Sequence, residues 1–228
     1  MESNKVTVTP TRPREVLKTA PEAAVEVVWL KARAHTGVVP EVYHHDGDTY
    51  TMEWVGKPTN HHSASEACTL LKQLNNIRSY TPGLYNLPTL EANLTQRWDW
   101  FQQDNQGRPD IPQEVVEAAQ AFLAANQAGE ELLHGDFQPK NTARRGIRLT
   151  TFDPMPCFGN ALFDIGLWVA AKEHKNLEEL LTDAFRADID FPGVEPWVAA
   201  LRVLNYNPTR SRLVEGELDW IQWVLTRS

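Results

Sequence analysis

Leu132-Leu133-His134-Gly135-Asp136-Phe137-Gln138-Pro139-Lys140-Asn141, continued to Phe152-Asp153-Pro154, sets an aspartate, an asparagine five positions later and a second aspartate on a tight loop and hairpin. Phosphoryl transfer from a nucleotide calls for three such groups. One carboxylate accepts the proton of the attacking hydroxyl, while an amide and a second carboxylate hold Mg²⁺ on the donor phosphates. The two carboxylates must be kept apart, because acids sharing one site push one pKa up and lose a charge. Asn141 suits the amide position, since it offers Mg²⁺ a hard oxygen without adding negative charge. The alternative is a His-Gly-Asp turn that merely opens a hairpin, with Asn141 as a turn residue.

On these residues the sequence resembles the aminoglycoside phosphotransferase-like kinases, relatives of the protein kinases. His134-Gly135-Asp136 with Asn141 and then Asp153 is the pattern of that family. Asp153-Pro154-Met155-Pro156, Gly159 and Phe163-Asp164 look most like its streptomycin and hydroxyurea phosphotransferase branch. The close match runs over about residues 130–170. The resemblance implies an α+β, protein-kinase-like bilobal fold. A shortened, strand-rich N-terminal lobe would span 1–53, and a mainly helical C-terminal lobe 54–228, with a catalytic loop at 132–153. It also implies that Asp136 is catalytic, that Asn141 and Asp153 hold the metal, and that Asp164 bonds backbone amides of the catalytic loop. His134 is expected to support Asp136 structurally rather than act as an acid or base.

Upstream, residues 5–9 and 14–19 read as short strands around the Pro10/Pro13 break. Val25, Val28, Trp29 and Ala32 recur at helical spacing between about Pro21 and His35, with Thr19 as a possible cap and Gly37 as the stop. Strands at 38–44 and 49–55 are joined at Asp46-Gly47, a two-residue hairpin signal. This order is that of a kinase small lobe in short form. Lys18 would then anchor the nucleotide phosphates and Glu26 would be its ion-pair partner, with Glu22, one turn earlier, in reserve. All three also read as solvated surface charges. Met52-Glu53-Trp54-Val55-Gly56 resembles the linker between lobes, where Glu53 and Val55 would offer backbone groups to adenine. A plain strand with a glycine exit is the other reading.

Downstream of the linker, Ser63-x-x-Glu66 is a capping box that opens a helix to about Tyr80. Further helices are expected near 91–103 (Leu94, Trp98 and Phe101 inward), 113–127, 163–174, 177–186, 196–206 and 213–225, with a hairpin turning at Arg145-Gly146. Trp29, Trp54, Trp98, Trp168 and Trp197 sit at core spacing.

Two departures from the family pattern stand out. Kinases cover the donor phosphates with a glycine-rich hairpin, because only glycine lets backbone amides approach oxygens so closely. Here the first glycine is Gly37. Thr9, Thr11, Arg12 and Arg14 are the residues left to meet phosphate by side chain. The second departure is Lys140, where a small residue is commoner.

Composition narrows the partners. The chain has 228 residues and a formal charge of −8, so nucleic acid is an unsuitable partner and a basic small molecule would be attracted. Cys68 and Cys157 are the only cysteines and form no Cys-x-x-Cys. The start lacks the apolar stretch of a secretory signal, and no run of 18 apolar residues occurs, so a cytoplasmic protein without membrane contact is expected. His44-His45 and His61-His62 are adjacent pairs that point to opposite sides of a strand and cannot share a metal there.

The leading expectation is an ATP- and Mg²⁺-dependent phosphotransferase. It would act on a hydroxyl of a small cationic molecule, an aminoglycoside-type antibiotic or related amino alcohol. A metabolite or sugar kinase of the same fold is a second reading. A catalytically silent kinase-fold protein that binds a nucleotide or a protein partner is the third. Asp99, Asp104, Asp110, Glu130, Glu131, Glu215 and Asp219 are carboxylates that could meet substrate amines, although each reads first as solvated.

Overall fold

The structure is a computed structural model, and it describes residues 5–8, 14–59, 62–75, 86–105, 111–208 and 212–228. Strand periodicity builds its first sheet. In β2 (Glu15–Thr19) alternate side chains turn inward, which buries Val16 and Lys18. In β4 (Thr49–Glu53) the same alternation buries Tyr50 and Met52. The strands run antiparallel with Val16 opposite Met52 and Lys18 opposite Tyr50, so a lysine shares one face with three apolar side chains. β1 (Lys5–Val8) and β3 (Val42–Asp46) complete the order β1-β2-β4-β3. The β3–β4 hairpin pairs Asp46 with Thr49, so its turn residues are Gly47-Asp48, one position beyond the expected pair. Gly47 supplies the φ of +55° that the turn needs. Thr9, Thr11 and Arg12 lie outside the described residues.

Helix α1 (Ala23–Arg33) packs under this sheet and runs into a 3₁₀ turn closed by Gly37, left-handed at φ +70°. Thr19 does not cap it. That residue ends β2, and Glu22 holds the N-cap position without a side-chain bond. The buried face is rotated from the expected stripe. Val25 and Val28 are half-buried, whereas Glu26 and Arg33 are fully covered. Two charged residues tolerate this because both find partners inside: Glu26 meets Lys18, and Arg33 donates to the Leu132 carbonyl at 2.7 Å.

The rest is mainly helical. α2 (Ala64–Leu74) starts on the expected capping box, and the expected stretch from residue 76 to Tyr80 lies outside the described residues. α3 (Leu90–Asp104) buries Leu90, Asn93, Leu94 and Arg97, while Trp98 and Phe101 are only half-buried. α4 (Gln113–Asn126) leads to β5 (Glu131–Leu133), which pairs antiparallel with β8 (Cys157–Gly159). Between them stands the hairpin of β6 (Thr142–Arg145) and β7 (Arg148–Thr151), turning at Gly146-Ile147.

α5 (Leu162–Ala171) is enclosed on nearly every side, and it crosses α7 (Val194–Leu204) closely at Gly166, where a Cβ would come within 2.8 Å of Trp197. α6 (Leu177–Asp190) and α8 (Glu217–Leu225) close the bundle. Arg202 reaches from α7 to Glu217 of α8, with Nη2 donating at 2.9 Å in a buried pair. Trp29, Trp168 and Trp197 belong to the core as expected, but Trp54 is 37% exposed because β4 ends at Glu53 and alternation ends with it. No helix among the described residues is long and apolar enough to cross a membrane.

Candidate active site

The loop after β5 is held from below by Asp164 in the first turn of α5. One carboxylate oxygen accepts the His134 amide at 2.7 Å and the other the Gly135 amide at 2.9 Å. Burial nonetheless pushes the Asp164 carboxyl up to about 6, since these amides only partly offset the loss of water. Gly135 is left-handed at φ +74°, and a Cβ there would lie 1.8 Å from the Met155 carbonyl oxygen. Only glycine fits.

His134 is buried and acts through both ring nitrogens. Nδ1 accepts the Asp136 amide at 3.3 Å, while Nε2 faces the Phe152 carbonyl at 3.1 Å and the Thr151 hydroxyl at 2.8 Å. That pattern fits a neutral ring protonated on Nε2. Burial lowers its pKa to about 4. Trp29 presses on the ring edge-on at a centroid distance of 5.1 Å.

Asp136 sits at the centre of a ring of donors. Oδ1 accepts Arg97 Nη2 at 2.7 Å and the Gln138 amide; Oδ2 accepts Asn141 Nδ2 at 2.7 Å and faces Lys140 Nζ at 3.3 Å. Burial would raise this carboxyl, but the charges of Arg97 and Lys140 outweigh it and hold the group well below the usual carboxylate range. Asn141 Nδ2 also donates to the Asp136 carbonyl at 2.8 Å. With its nitrogen engaged, Asn141 has its amide oxygen to offer a cation.

Arg97 is the residue that the sequence reading missed. The signal was faint: Asn93 and Arg97 fall four apart, in step with Leu90 and Leu94 on one face of α3. A polar pair on an apolar stripe asks for a buried partner, and that partner is the loop carrying Gly135 and Asp136.

Asp153 lies across the hairpin and is the only non-glycine with positive φ among the described residues, at +59°. Aspartate tolerates this left-handed geometry better than most side chains. Lys18 bonds the Asp153 carboxylate and, at 2.6 Å, Glu26; the Tyr50 hydroxyl donates to Glu26 at 2.5 Å. Burial alone would lower the lysine pKa, but Asp153 and Glu26 overrule it and raise it. Glu26 is itself raised, its burial exceeding the help from Lys18. Glu22 is exposed at the N-cap of α1 and takes no part in this cluster.

The contacts therefore bring Lys18, Glu26 and Asp153 into one group and His134, Asp136, Asn141 and Asp164 into another. Asn141 joins them, its Nδ2 lying 3.5 Å from the Asp153 carbonyl. Glu53 and Val55 stand apart at the exit of β4. The Glu53 amide donates to the Glu41 carbonyl at 2.8 Å and its carboxylate pairs with Arg145 at 2.9 Å, while Val55 is buried. Among the surveyed carboxylates, Asp99, Asp104, Glu130, Glu131, Glu215 and Asp219 are exposed, and Asp110 lies outside the described residues. No group of three or more His, Cys, Asp or Glu set to hold a metal occurs among the described residues. Two protein oxygens suffice for Mg²⁺ when phosphates supply the others.

No family model and no curated protein matches the sequence. Solved structures do match. A choline/ethanolamine kinase family protein from Mesorhizobium loti superposes with a TM-score of 0.62 at 20% identity, covering 99% of this chain and 83% of its own. Choline kinase LicA from Streptococcus pneumoniae, in complex with AMP, gives 0.56 at 10% identity and covers 99% of this chain and 92% of its own. The gentamicin–APH(2″)-IIa complex gives 0.51 at 13% identity, covering 99% and 88%. The likeness is one of fold: the chain has the α+β, kinase-like bilobal architecture read from its sequence.

Proposed function

We propose that this chain is an ATP- and Mg²⁺-dependent phosphotransferase that acts on a hydroxyl of a small cationic molecule. The observation that carries the reading is the convergence of Lys18, Asp136, Asn141 and Asp153, drawn from three separate segments (β2, the loop after β5 and the end of the β6–β7 hairpin), on one site. Lys18, Asp136 and Asn141 are buried, while the Asp153 side chain remains 40% exposed. A fold with no chemistry to perform has little reason to place two carboxylates, a lysine and an amide there and bear their desolvation.

In this reading the small lobe is 1–53 and the large lobe 54–228, with nucleotide between them. Lys18, aimed by Glu26, holds the donor phosphates, and backbone groups of Glu53 and Val55 meet the adenine edge. The Asn141 oxygen and the Asp153 carboxylate are hard donors of the kind Mg²⁺ takes. When bound, Mg²⁺ would offset the negative charge of the phosphates. Asp136, held anionic, accepts a hydrogen bond from the acceptor hydroxyl and aligns its oxygen with the γ-phosphorus. The new P–O bond forms as the bond to ADP breaks, and the hydroxyl proton passes to Asp136. His134 stays neutral, and Asp164 fixes the loop. Choline, ethanolamine and gentamicin, named for the neighbouring folds, are all cations that carry a hydroxyl. The net charge of −8 suits such an acceptor.

A second reading, a silent kinase-fold protein, has one feature in its favour: no glycine occurs among residues 1–36, so the β1–β2 connection contains none. Thermal shift with Mg²⁺–ATP separates the two. A ligand that binds only the folded state raises Tm according to its concentration over Kd. Stabilisation of wild type that is lost in Asp153→Ala, followed by ADP release with choline, ethanolamine or gentamicin, supports the phosphotransferase. No shift at millimolar nucleotide removes it and leaves the silent reading.

A further inference from the structure

Helix α3 reaches the loop of Gly135 and Asp136 through two side chains, Arg97 and Asn93. Arg97 Nη2 donates to the Gly135 carbonyl and to Asp136 Oδ1, each at 2.7 Å, and Nε donates to Asn93 Oδ1 at 2.7 Å. Asn93 in turn sends Nδ2 to the Gly135 and Met155 carbonyls, both at 3.3 Å. Arg97 is 5% exposed, so none of this is a surface contact. A planar fork bound to three acceptors has a single orientation, and it passes that orientation to whatever it holds.

The other partners of Asp136 divide by mobility. Asn141 is buried and fixes Oδ2, whereas Lys140 is 63% exposed along its side chain and Gln138 is part-buried. An acceptor hydroxyl needs an open lone pair on Asp136. The mobile partners can yield theirs, and the buried ones cannot without leaving polar groups unsatisfied.

We propose that Arg97 is a positioning residue: by clamping Oδ1 to α3 it sets the direction in which the Asp136 carboxylate faces the acceptor hydroxyl, and Asn93 orients Arg97 for that task. The inference rests on the reading of Asp136 as the acceptor-facing carboxylate. Buried at 5% exposure with its donors on Asn93, Gly135 and Asp136, Arg97 acts on the acceptor only through Asp136. Its removal therefore changes the chemical step and spares nucleotide affinity, since a displacement of the reacting group by about 1 Å costs roughly 100-fold in rate.

The test compares Arg97→Met, Arg97→Lys and Leu94→Ala, the last a buried change on the same helix that leaves Asp136 untouched. ADP release is followed at saturating Mg²⁺–ATP, with choline, with gentamicin and with water as acceptor. The crystal structure of Arg97→Met is determined alongside. We expect Arg97→Met to lower kcat about 100-fold with the KM for ATP within about twofold. Arg97→Lys should recover part of the loss, and Leu94→Ala should keep kcat despite a lowered Tm. In the crystal, the Asp136 carboxylate should rotate while the backbone of 134–141 stays in place. Equal kcat losses in Arg97→Met and Leu94→Ala overturn the inference, as does an unmoved Asp136. Should Arg97→Met not fold, Arg97→Lys serves both measurements. A wild type that releases no ADP counts against the phosphotransferase reading, and the position of Asp136 in the crystal still decides the role of Arg97.

Discussion

Lys18 Nζ and Glu26 Oε2 lie 2.6 Å apart, with side-chain exposures of 2% and 3%, one on the inner face of β2 and the other on the buried face of α1. A lysine in the middle of an apolar strand face is costly unless an anion meets it there. The pair thus locks helix to sheet and, through Asp153, ties both to the end of the β6–β7 hairpin.

Removing one partner should therefore hurt more than removing both charges. Lys18→Met leaves the Glu26 carboxylate buried with only Tyr50 as donor, and a cost of about 3–5 kcal/mol is expected. The double variant Lys18→Met/Glu26→Gln carries no stranded charge and should be the more stable of the two. Urea denaturation of both variants reads this directly; equal stabilities would mean that the pair does not govern the site.

Asp136→Asn keeps the shape of the side chain but removes the proposed proton acceptor. Turnover should fall by roughly 10²–10⁴-fold, while the thermal shift given by Mg²⁺–ATP persists. Turnover equal to wild type would reassign the catalytic carboxylate.

His134 makes stability depend on pH in a definite direction. Its pKa is about 4 in the fold against an ordinary 6.5, so between these values the unfolded chain binds a proton that the folded ring refuses. Stability linked to His134 is present above about 6.5 and is lost as pH falls towards 4. Asp164, raised to about 6, works in the opposite sense: its contribution is full below 3.8 and fades as pH rises through 6. His134→Asn keeps Asp164 and removes only the first effect. Between pH 6.5 and 4 wild type should lose on the order of 3 kcal/mol more than the variant. Parallel pH profiles from chemical denaturation would contradict this.

Gly135 and Gly146 both have positive φ, +74° and +65°, but different surroundings. A Cβ at Gly146 meets nothing within 4 Å, whereas at Gly135 it strikes the Met155 carbonyl oxygen at 1.8 Å. Gly146→Ala should cost about 1–2 kcal/mol for the left-handed backbone alone. Gly135→Ala adds a backbone clash and should cost about 3 kcal/mol or more. Tm values for the two variants decide it, and a Gly135→Ala variant as stable as Gly146→Ala would count against the packing described.

The parts of the site that could be read in advance are those whose partners lie close in the chain. Asp136 and Asn141 share one loop, so their proximity follows from a five-residue spacing, and the structure shows the Asn141 amide serving both the Asp136 carbonyl and its carboxylate. Asp164 is expected on the loop amides from the family resemblance, since its place in the first turn of a helix is also favourable for any carboxylate; the structure shows it accepting the His134 and Gly135 amides. Glu26 and Glu22 were harder to separate. They lie one turn apart on α1, and only the packing of the helix on β2 shows that Glu26 faces inward while Glu22 remains in solvent. Arg97 and Asn93 escaped notice because in α3 they resemble ordinary helix polar residues. Trp54 misled, since alternation along β4 was carried one residue beyond the strand.

The sequence alone determined the order of short strands and helices and the His134-Gly135-Asp136 motif with Asn141 and Asp153, and the resemblance carried by that motif implied the kinase-like architecture. Strand alternation, helical periodicity and a short motif are local properties, fixed by backbone geometry over a few residues. Tertiary structure alone decided which charges are buried and whom they meet: Glu26 rather than Glu22 on Lys18, Arg97 on Asp136, Arg33 on the Leu132 carbonyl. A buried charge is tolerated only where a partner 8 to 99 positions distant arrives at hydrogen-bond distance, and no local pattern encodes that arrival.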